Sequence, residues 1–323
     1  MAKAILFGAL AAAWLLCSAA TPTFCQTQAQ AQDQQAPLFK SETHLIDFTF
    51  SVRRPDGTLV NGLSRDDFQI TEDGVPQTIA FFGKEGELPL TLGLLVDVSD
   101  SQRKFIKRHR KDIEKFLNTV VRSQDEVFSI CFGDHLRLTS DNTSSATTVI
   151  DALERFDKGD RHFPELEPDD REGGSAVFDA VYYGAVKKLA QAHGRRRALI
   201  LFTDGEENSS AHDLLDAIDA ARENDTLIYA IRYTDEKQEH KPVARQGVAV
   251  LHHLSSETGG TDFDALTTNL GQAFEQIAEE LRSLYSVAYH STHRQRDGSF
   301  HRVLITTSNP SYTARARTGY YAR

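Results

Sequence analysis

The stretch TLGLLVDVSDS, residues 91–101, decides the fold. Thr91 to Val96 runs without the polar alternation of a half-wet strand, as a strand covered on both faces does. It ends in Asp97-Val98-Ser99-Asp100-Ser101, which sets a carboxylate and two serine hydroxyls on the turn into a helix. In an open parallel sheet, such a strand end faces the crevice where ligands bind.

Reading onward, apolar residues at helical spacing (Phe105, Ile106, Ile113, Phe116, Leu117, Val120, Val121) predict the first helix. A strand at Val127–Phe132, a short strand at His135–Leu138 and a helix carrying Val149, Ile150, Leu153 and Phe156 follow. Asp157 to Gly174, charged and holding Pro164 and Pro168, is a loop. A helix with Val177, Val181, Ala185 and Leu189 leads to the strand Ala198–Phe202. The helix of Leu214, Leu215 and Ile218 leads to the strand Leu227–Ile231. A helix around Val248–Leu254 ends at Gly259-Gly260, and the last helix aligns Leu270, Phe274, Ile277, Leu281 and Leu284. Alternating strands and helices mean an α/β fold with a doubly wound, mostly parallel, Rossmann-like sheet.

Both flanks are β. Ile46, Phe48, Phe50 and Val52 alternate with polar residues before the Pro55-Asp56-Gly57 turn, and Phe68, Ile70 and Ile79 to Phe82 follow. Beyond Leu284, Tyr285, Val287 and Tyr289 alternate, Asp297-Gly298 is a hairpin signal, and Val303, Ile305, Tyr312, Ala314 and Ala316 continue the pattern. Neither flank is long enough to stand alone as a sandwich. The expectation is one small all-β domain formed by both chain ends (residues 41–87 and 285–323), with the α/β domain at 88–284 inserted between them.

The chain of 323 residues is 40% hydrophobic and 25% charged, so it has material for a core. Its net charge of −10 argues against wrapping nucleic acid or lying on anionic lipid, both of which need a basic footprint. Lys3, the apolar stretch Ile5–Leu16 and the small residues Ser18-Ala19-Ala20 or Ala29-Gln30-Ala31 have the order of a secretory signal peptide. Residues 1–31 are therefore expected to be signal peptide and tether start, and 32–40 a disordered tether within a Gln-rich, low-complexity region. A retained membrane anchor is the alternative; Cys17 follows Trp14-Leu15-Leu16, a poor lipidation pattern. Export implies a periplasmic or extracellular, envelope-associated protein with no membrane insertion of the mature chain. The three cysteines are too few for a disulfide scaffold; no disulfide is expected, and Cys131 reads as a buried thiol.

The strand ending at Phe202 repeats the first strand's design: Thr203-Asp204-Gly205 supplies a second carboxylate. Gly173-Gly174-Ser175 opens the intervening helix with another hydroxyl. Alone, each piece is also a helix cap or a turn. Together they form an all-oxygen set that suits a hard cation such as Mg²⁺, held octahedrally at about 2.0–2.1 Å.

Asp97-x-Ser99-x-Ser101, Gly173-Gly174-Ser175 and Thr203-Asp204-Gly205 resemble, in order, the metal-ion-dependent adhesion site of von Willebrand factor type A domains, over about residues 88–284. Asp67 to Ile79 (DFxIxEDGxxQxI) and Arg315 to Ala322 (RARxGYYA) resemble the flanks of exported bacterial relatives common in acidobacteria. The resemblance implies sheet order 3-2-1-4-5-6, with the strands ending in Asp97 and Asp204 adjacent. It implies that Ser99, Ser101 and Ser175 ligate Mg²⁺ or Mn²⁺ directly, and Asp97 and Asp204 directly or through water. Three residues depart from the family pattern: Ser175 stands for Thr, Asp100 for Gly and Gln102 for Met. Asp100 is expected to add negative charge beside the metal.

Dinucleotide, P-loop and nucleophile-elbow motifs are absent from the sequence. His252-His253 and Glu239-His240 lack zinc-helix spacing and read as exposed. Arg195-Arg196-Arg197 reads as a solvated cap of helix carbonyls, and Lys104 to Lys111 (KFIKRHRK) as a solvated basic helix face. The expected function is a binding module without catalytic residues, whose cation captures an Asp or Glu carboxylate of a protein partner. The alternative is a metal-dependent hydrolase, such as a phosphoesterase, with Asp97 as nucleophile and Asp100 as the nearby acid or base.

Overall fold

In the computed structural model, the described residues are 45–323 apart from 86–87, 167–172, 236, 238 and 294. The expected signal peptide and tether, with Cys17 and Cys25, lie outside them. The strands and helices in chain order are β1 (Leu45–Arg53), β2 (Phe68–Glu72), β3 (Val75–Gln77), β4 (Ile79–Glu85), β5 (Leu90–Asp97), α1 (Ile106–Val120), β6 (Glu126–Phe132), β7 (Arg137–Thr143), α2 (Ala146–Asp157), α3 (Val177–Tyr183), β8 (Arg196–Thr203), α4 (Leu214–Glu223), β9 (Thr226–Arg232), α5 (Pro242–Thr258), β10 (Asp262–Asp264), α6 (Leu270–Arg282), β11 (Leu284–His290), β12 (Phe300–Thr307), β13 (Thr313–Ala316) and β14 (Gly319–Tyr321).

The central sheet runs β10-β9-β8-β5-β6-β7, parallel except for β7. This is the order 3-2-1-4-5-6, and it makes β5 and β8 neighbours with Val96 opposite Phe202. Every residue of β5 is buried, as its unbroken run requires. One face packs on α1, α2 and α6 through residues such as Leu94, Phe116, Phe202 and Phe274. The other packs on α3, α4 and α5 through Leu95, Val181, Leu201 and Leu254. Stripped of its apolar signal, the edge strand β10 was not legible; it is three half-buried residues, Asp-Phe-Asp. The helix expected around Val248–Leu254 extends to Pro242–Thr258, with proline at its first turn, where the missing N–H costs nothing.

The chain ends form two further four-stranded sheets, β13-β1-β11-β4 and β14-β12-β2-β3. Each mixes strands from both ends: β1 pairs with β11 and β13, and β2 with β12. Phe48, Phe50, Phe68, Ile70, Tyr285, Val287 and Ile305 fill the space between them. Phe50 stacks on Tyr285 at 5.7 Å and meets Phe68 edge-on at 5.1 Å. A buried ion pair, Arg53 to Glu280 at 2.7 Å, ties β1 to α6.

Two readings of the basic segments need correction. Arg196 is buried rather than solvated: it opens β8 and donates to Leu281 O at the end of α6, while Arg197 donates to Asn224 O beyond α4. The triplet does hold helix-end carbonyls, but one guanidinium does so from inside. Within the basic helix face, His109 points inward and is buried against Tyr233, because the helical period carries position 109 to the same side as Ile113 and Phe116. Its positive neighbours Lys104, Arg108 and Arg110 are paired with Asp235, Asp112 and Asp157.

Candidate metal centre

The site lies at the carboxyl ends of β5 and β8. Because these strands are adjacent, Asp97 and Asp204 converge, and the loop before α3 brings Ser175 over them. Asp97 is fully buried. Its Oδ1 accepts the Ser99 N–H at 2.9 Å, and its Oδ2 accepts Thr203 Oγ1 at 2.5 Å and Ser175 Oγ at 3.2 Å. Ser99 Oγ and Ser101 Oγ are 3.2 Å apart. A 3₁₀ turn, Asp100–Phe105, follows Ser99 and keeps both hydroxyls on one side of the loop. All five sequence-derived residues are therefore together: Asp97, Ser99, Ser175 and Asp204 buried, Ser101 half-buried.

Asp204 is fixed from below by its own backbone. Gly205 adopts φ +78, and Gly247 of α5 approaches so closely that a Cβ there would lie 2.5 Å from Asp204 O. Ser175 is positioned by Asn208, whose Oδ1 accepts the Ser175 N–H at 2.9 Å. Glu207 accepts the N–H groups of Phe178, Ser209 and Ser210, and holds the loop after β8 against the start of α3.

Burial, and then the charge of Asp204, push the Asp97 carboxyl up to about 7. Among the described residues no lysine or arginine pairs with either carboxylate; the donors are hydroxyls, backbone N–H groups and the amide of Gln102. Two buried acids with three hydroxyls and no counter-charge fit a divalent cation, and the donor set is entirely oxygen.

Departures from expectation cluster in the loop. Asp100 does not face the site: its carboxylate is exposed and pairs with Arg103 at 2.8 Å. Gln102 is fully buried instead, donating from Nε2 to Asp204 Oδ2 at 2.6 Å and to Tyr233 O at 3.2 Å. Its Oε1 has no hydrogen-bond partner among the described residues. The sequence marked Gln102 only as unusual. Its inward orientation was not legible, because it depends on the 3₁₀ turn that follows Ser99. Asp179 was missed as well. It is a buried carboxylate on an apolar helix face, accepting Ala211 N and His212 N.

No curated protein matches the chain in sequence. Solved structures similar to it include an aerotolerance-related membrane protein from Bacteroides fragilis (17% identity, 59% of this chain and 98% of that one, TM-score 0.45). BatB from Bacteroides thetaiotaomicron is similar at 16% identity over 60% of this chain and 100% of that one, TM-score 0.47. The mussel byssus proximal thread matrix protein 1, described with a zinc-occupied MIDAS motif, is 12% identical over 67% of this chain and 50% of its own, TM-score 0.44. The model of the von Willebrand factor type A domain matches residues 92–259, which run from within β5 to just past α5 and enclose every residue of the centre. That match covers over half of the chain, and the protein belongs to the von Willebrand factor type A domain family.

Proposed function

We propose that the chain is an exported protein-binding module whose partner binding requires a divalent cation held by Asp97, Ser99, Ser101, Ser175 and Asp204. The observation that carries this reading is the pairing of two buried carboxylates with no basic partner among the described residues, ringed by three hydroxyls. Bound there, Mg²⁺ or Mn²⁺ supplies a strong, geometrically selective contact for an incoming Asp or Glu carboxylate. The protein's own part is orientation: Thr203 and the Ser99 N–H fix Asp97, Gln102 fixes Asp204, and Asn208 fixes Ser175. A cleft lined by Ser99, Asp100, Arg103, Asp134, His135 and Arg161 opens beside the serines and offers charges to a partner's neighbouring residues.

The hydrolase reading is not favoured. Both Asp97 oxygens are engaged inside the protein, and Asp100 is turned to solvent and paired. Residues 1–31 belong to this proposal as signal peptide and tether start, 32–40 as tether, 88–284 as the binding module, and 41–87 with 285–323 as its β support. Among the described residues no helix is long and apolar enough to cross a membrane. The test is capture of envelope proteins by the purified chain, with and without chelator. Capture is expected to vanish with chelator and in Asp97→Ala. Capture that is undiminished by excess chelator contradicts the proposal.

A further inference from the structure

We propose a second, chemically distinct metal site in the β11–β12 connection, formed by His293, Asp297 and His301 and suited to Zn²⁺. One ligand atom from each residue lies within 4.8 Å of the other two. His293 and His301 rings sit 4.2 Å apart, and His293 Nε2 is 3.7 Å from Asp297 Oδ2. That nitrogen is buried without a hydrogen-bond partner among the described residues, although its ring is partly exposed. A buried, unpartnered imidazole nitrogen facing a carboxylate and a second imidazole is an arrangement a cation completes.

The surroundings fix the ligands. His301 is buried on β12, and its Nδ1 lies 2.7 Å from Asp73 Oδ2. A carboxylate accepts, so Nδ1 carries the proton and Nε2 keeps its lone pair; Nε2 lies 3.0 Å from Ser299 Oγ, the hydroxyl that Asp297 Oδ1 holds. This is the carboxylate–histidine arrangement that orients metal-ligating imidazoles. Asp73 is held in turn: its backbone sits in the left-handed region at φ 50, its N–H donates to Arg302 O, and its Oδ1 accepts the Arg302 N–H. Asp297 Oδ1 accepts Ser299 N at 2.8 Å and Ser299 Oγ at 2.5 Å, which leaves Oδ2 toward His293. These bonds keep both Asp73 and Asp297 below the ordinary carboxylate range. The base of the connection is pinned to β2 and β3 by Ser291 on Glu72 and Thr292 on Gln77.

Zn²⁺ takes imidazole nitrogen and carboxylate oxygen at about 2.0–2.2 Å, so the three ligand atoms need to close to roughly 3.3 Å of one another. The half-exposed His293 and Asp297 can make that small movement, while His301 stays in place. Two nitrogens and one carboxylate favour Zn²⁺ over Mg²⁺, the reverse of the all-oxygen centre at Asp97. A metal here staples the β11–β12 connection across the Asp73 turn. It also leaves one coordination position for water.

The experiment is Zn²⁺ titration of the full chain by calorimetry, with Co²⁺ absorption as a readout of coordination. It is run in an Asp97→Asn, Asp204→Asn background so that the first centre does not contribute. One equivalent of Zn²⁺ is expected, with visible Co²⁺ bands of a four-coordinate site, and both are expected to disappear on adding His293→Ala. Asp73→Asn keeps the acceptor for Arg302 N–H but presents an amide donor to His301 Nδ1, which moves the imidazole proton to Nε2. It is expected to weaken Zn²⁺ binding by roughly 10- to 100-fold. His293 is partly exposed, so its variant tests the site without a buried truncation. Absence of Zn²⁺ binding in the background chain, or binding that His293→Ala leaves unchanged, overturns the proposal.

Discussion

Gln102 Nε2 donates to Asp204 Oδ2 across 2.6 Å, so a residue of the first loop neutralises part of the charge carried by the second. The same amide reaches Tyr233 O at 3.2 Å and joins both loops to the end of β9. Gln102→Met keeps the volume but removes the donor, and leaves two buried acceptors short of a partner. A loss of about 1–3 kcal/mol is expected in chelator, measured by urea unfolding. The loss is expected to shrink at saturating Mg²⁺, which restores positive charge beside Asp204.

The raised Asp97 carboxyl gives a pH test. Its folded value of about 7 exceeds the ordinary 3.8, so without cation its contribution to stability is complete below pH 3.8 and is lost as pH rises through 7. The folded chain holds a proton over that window that the unfolded chain has released. A cation relieves this cost, so Mg²⁺ is expected to raise the unfolding midpoint more at pH 8 than at pH 5. Asp97→Asn is expected to be more stable than the parent chain at pH 8 in chelator and to lose its Mg²⁺ response. An identical pH profile for parent and variant contradicts the assignment.

How much of this was legible follows from where each signal resides. Thr91–Val96 announced a buried strand because burial on both faces removes polar alternation, and Asp97 and Asp204 announced themselves by ending two such strands. Ser99 and Ser101 were legible for the same reason, and Ser175 as the hydroxyl that opens the intervening helix after Gly173-Gly174. The orientation of Asp100 and Gln102 was not, because it depends on a 3₁₀ turn after Ser99 in place of an immediate α-helix. The interleaving of chain ends in two sheets followed from the shortness of each flank, but the pairing of β1 with both β11 and β13 did not, since register is a long-range property. The His293–Asp297–His301 cluster gave no local signal: β12 and the Asp73 turn bring it together.

His109 supplies an acid-side counterpart. Both ring nitrogens are buried without hydrogen-bond partners among the described residues, and burial, with the charge of Arg108 second, lowers its pKa from 6.5 to about 3. Its stabilising share is present above pH 6.5 and lost as pH falls through 3, because only the unfolded chain takes up the proton. His109→Phe keeps an aromatic ring beside Tyr233 and Phe105. The variant is expected to gain about 1 kcal/mol or more at neutral pH by removing unsatisfied polar atoms. It is also expected to flatten the acid limb between pH 6.5 and 3. Thermal unfolding across that range is the check.

Arg53 and Glu280 join the β support to α6 by an ion pair with almost no solvent access. Glu280 also accepts the Ser51 hydroxyl. Removing one partner leaves the other charge buried and uncompensated, so Glu280→Ala is expected to cost about 3–5 kcal/mol. Adding Arg53→Ala is expected to return part of that loss. A double-mutant cycle by denaturant unfolding measures it, and strict additivity contradicts a coupled pair.

The central claim, that Asp97, Ser99, Ser101, Ser175 and Asp204 hold a divalent cation, is tested most directly by Mn²⁺ titration followed by electron paramagnetic resonance. The parent chain and Asp97→Asn are compared at pH 8, with competition by Mg²⁺. The account predicts one Mn²⁺ per parent chain, displaced by Mg²⁺, and none bound by the folded Asp97→Asn variant. Equal Mn²⁺ binding by both chains contradicts it.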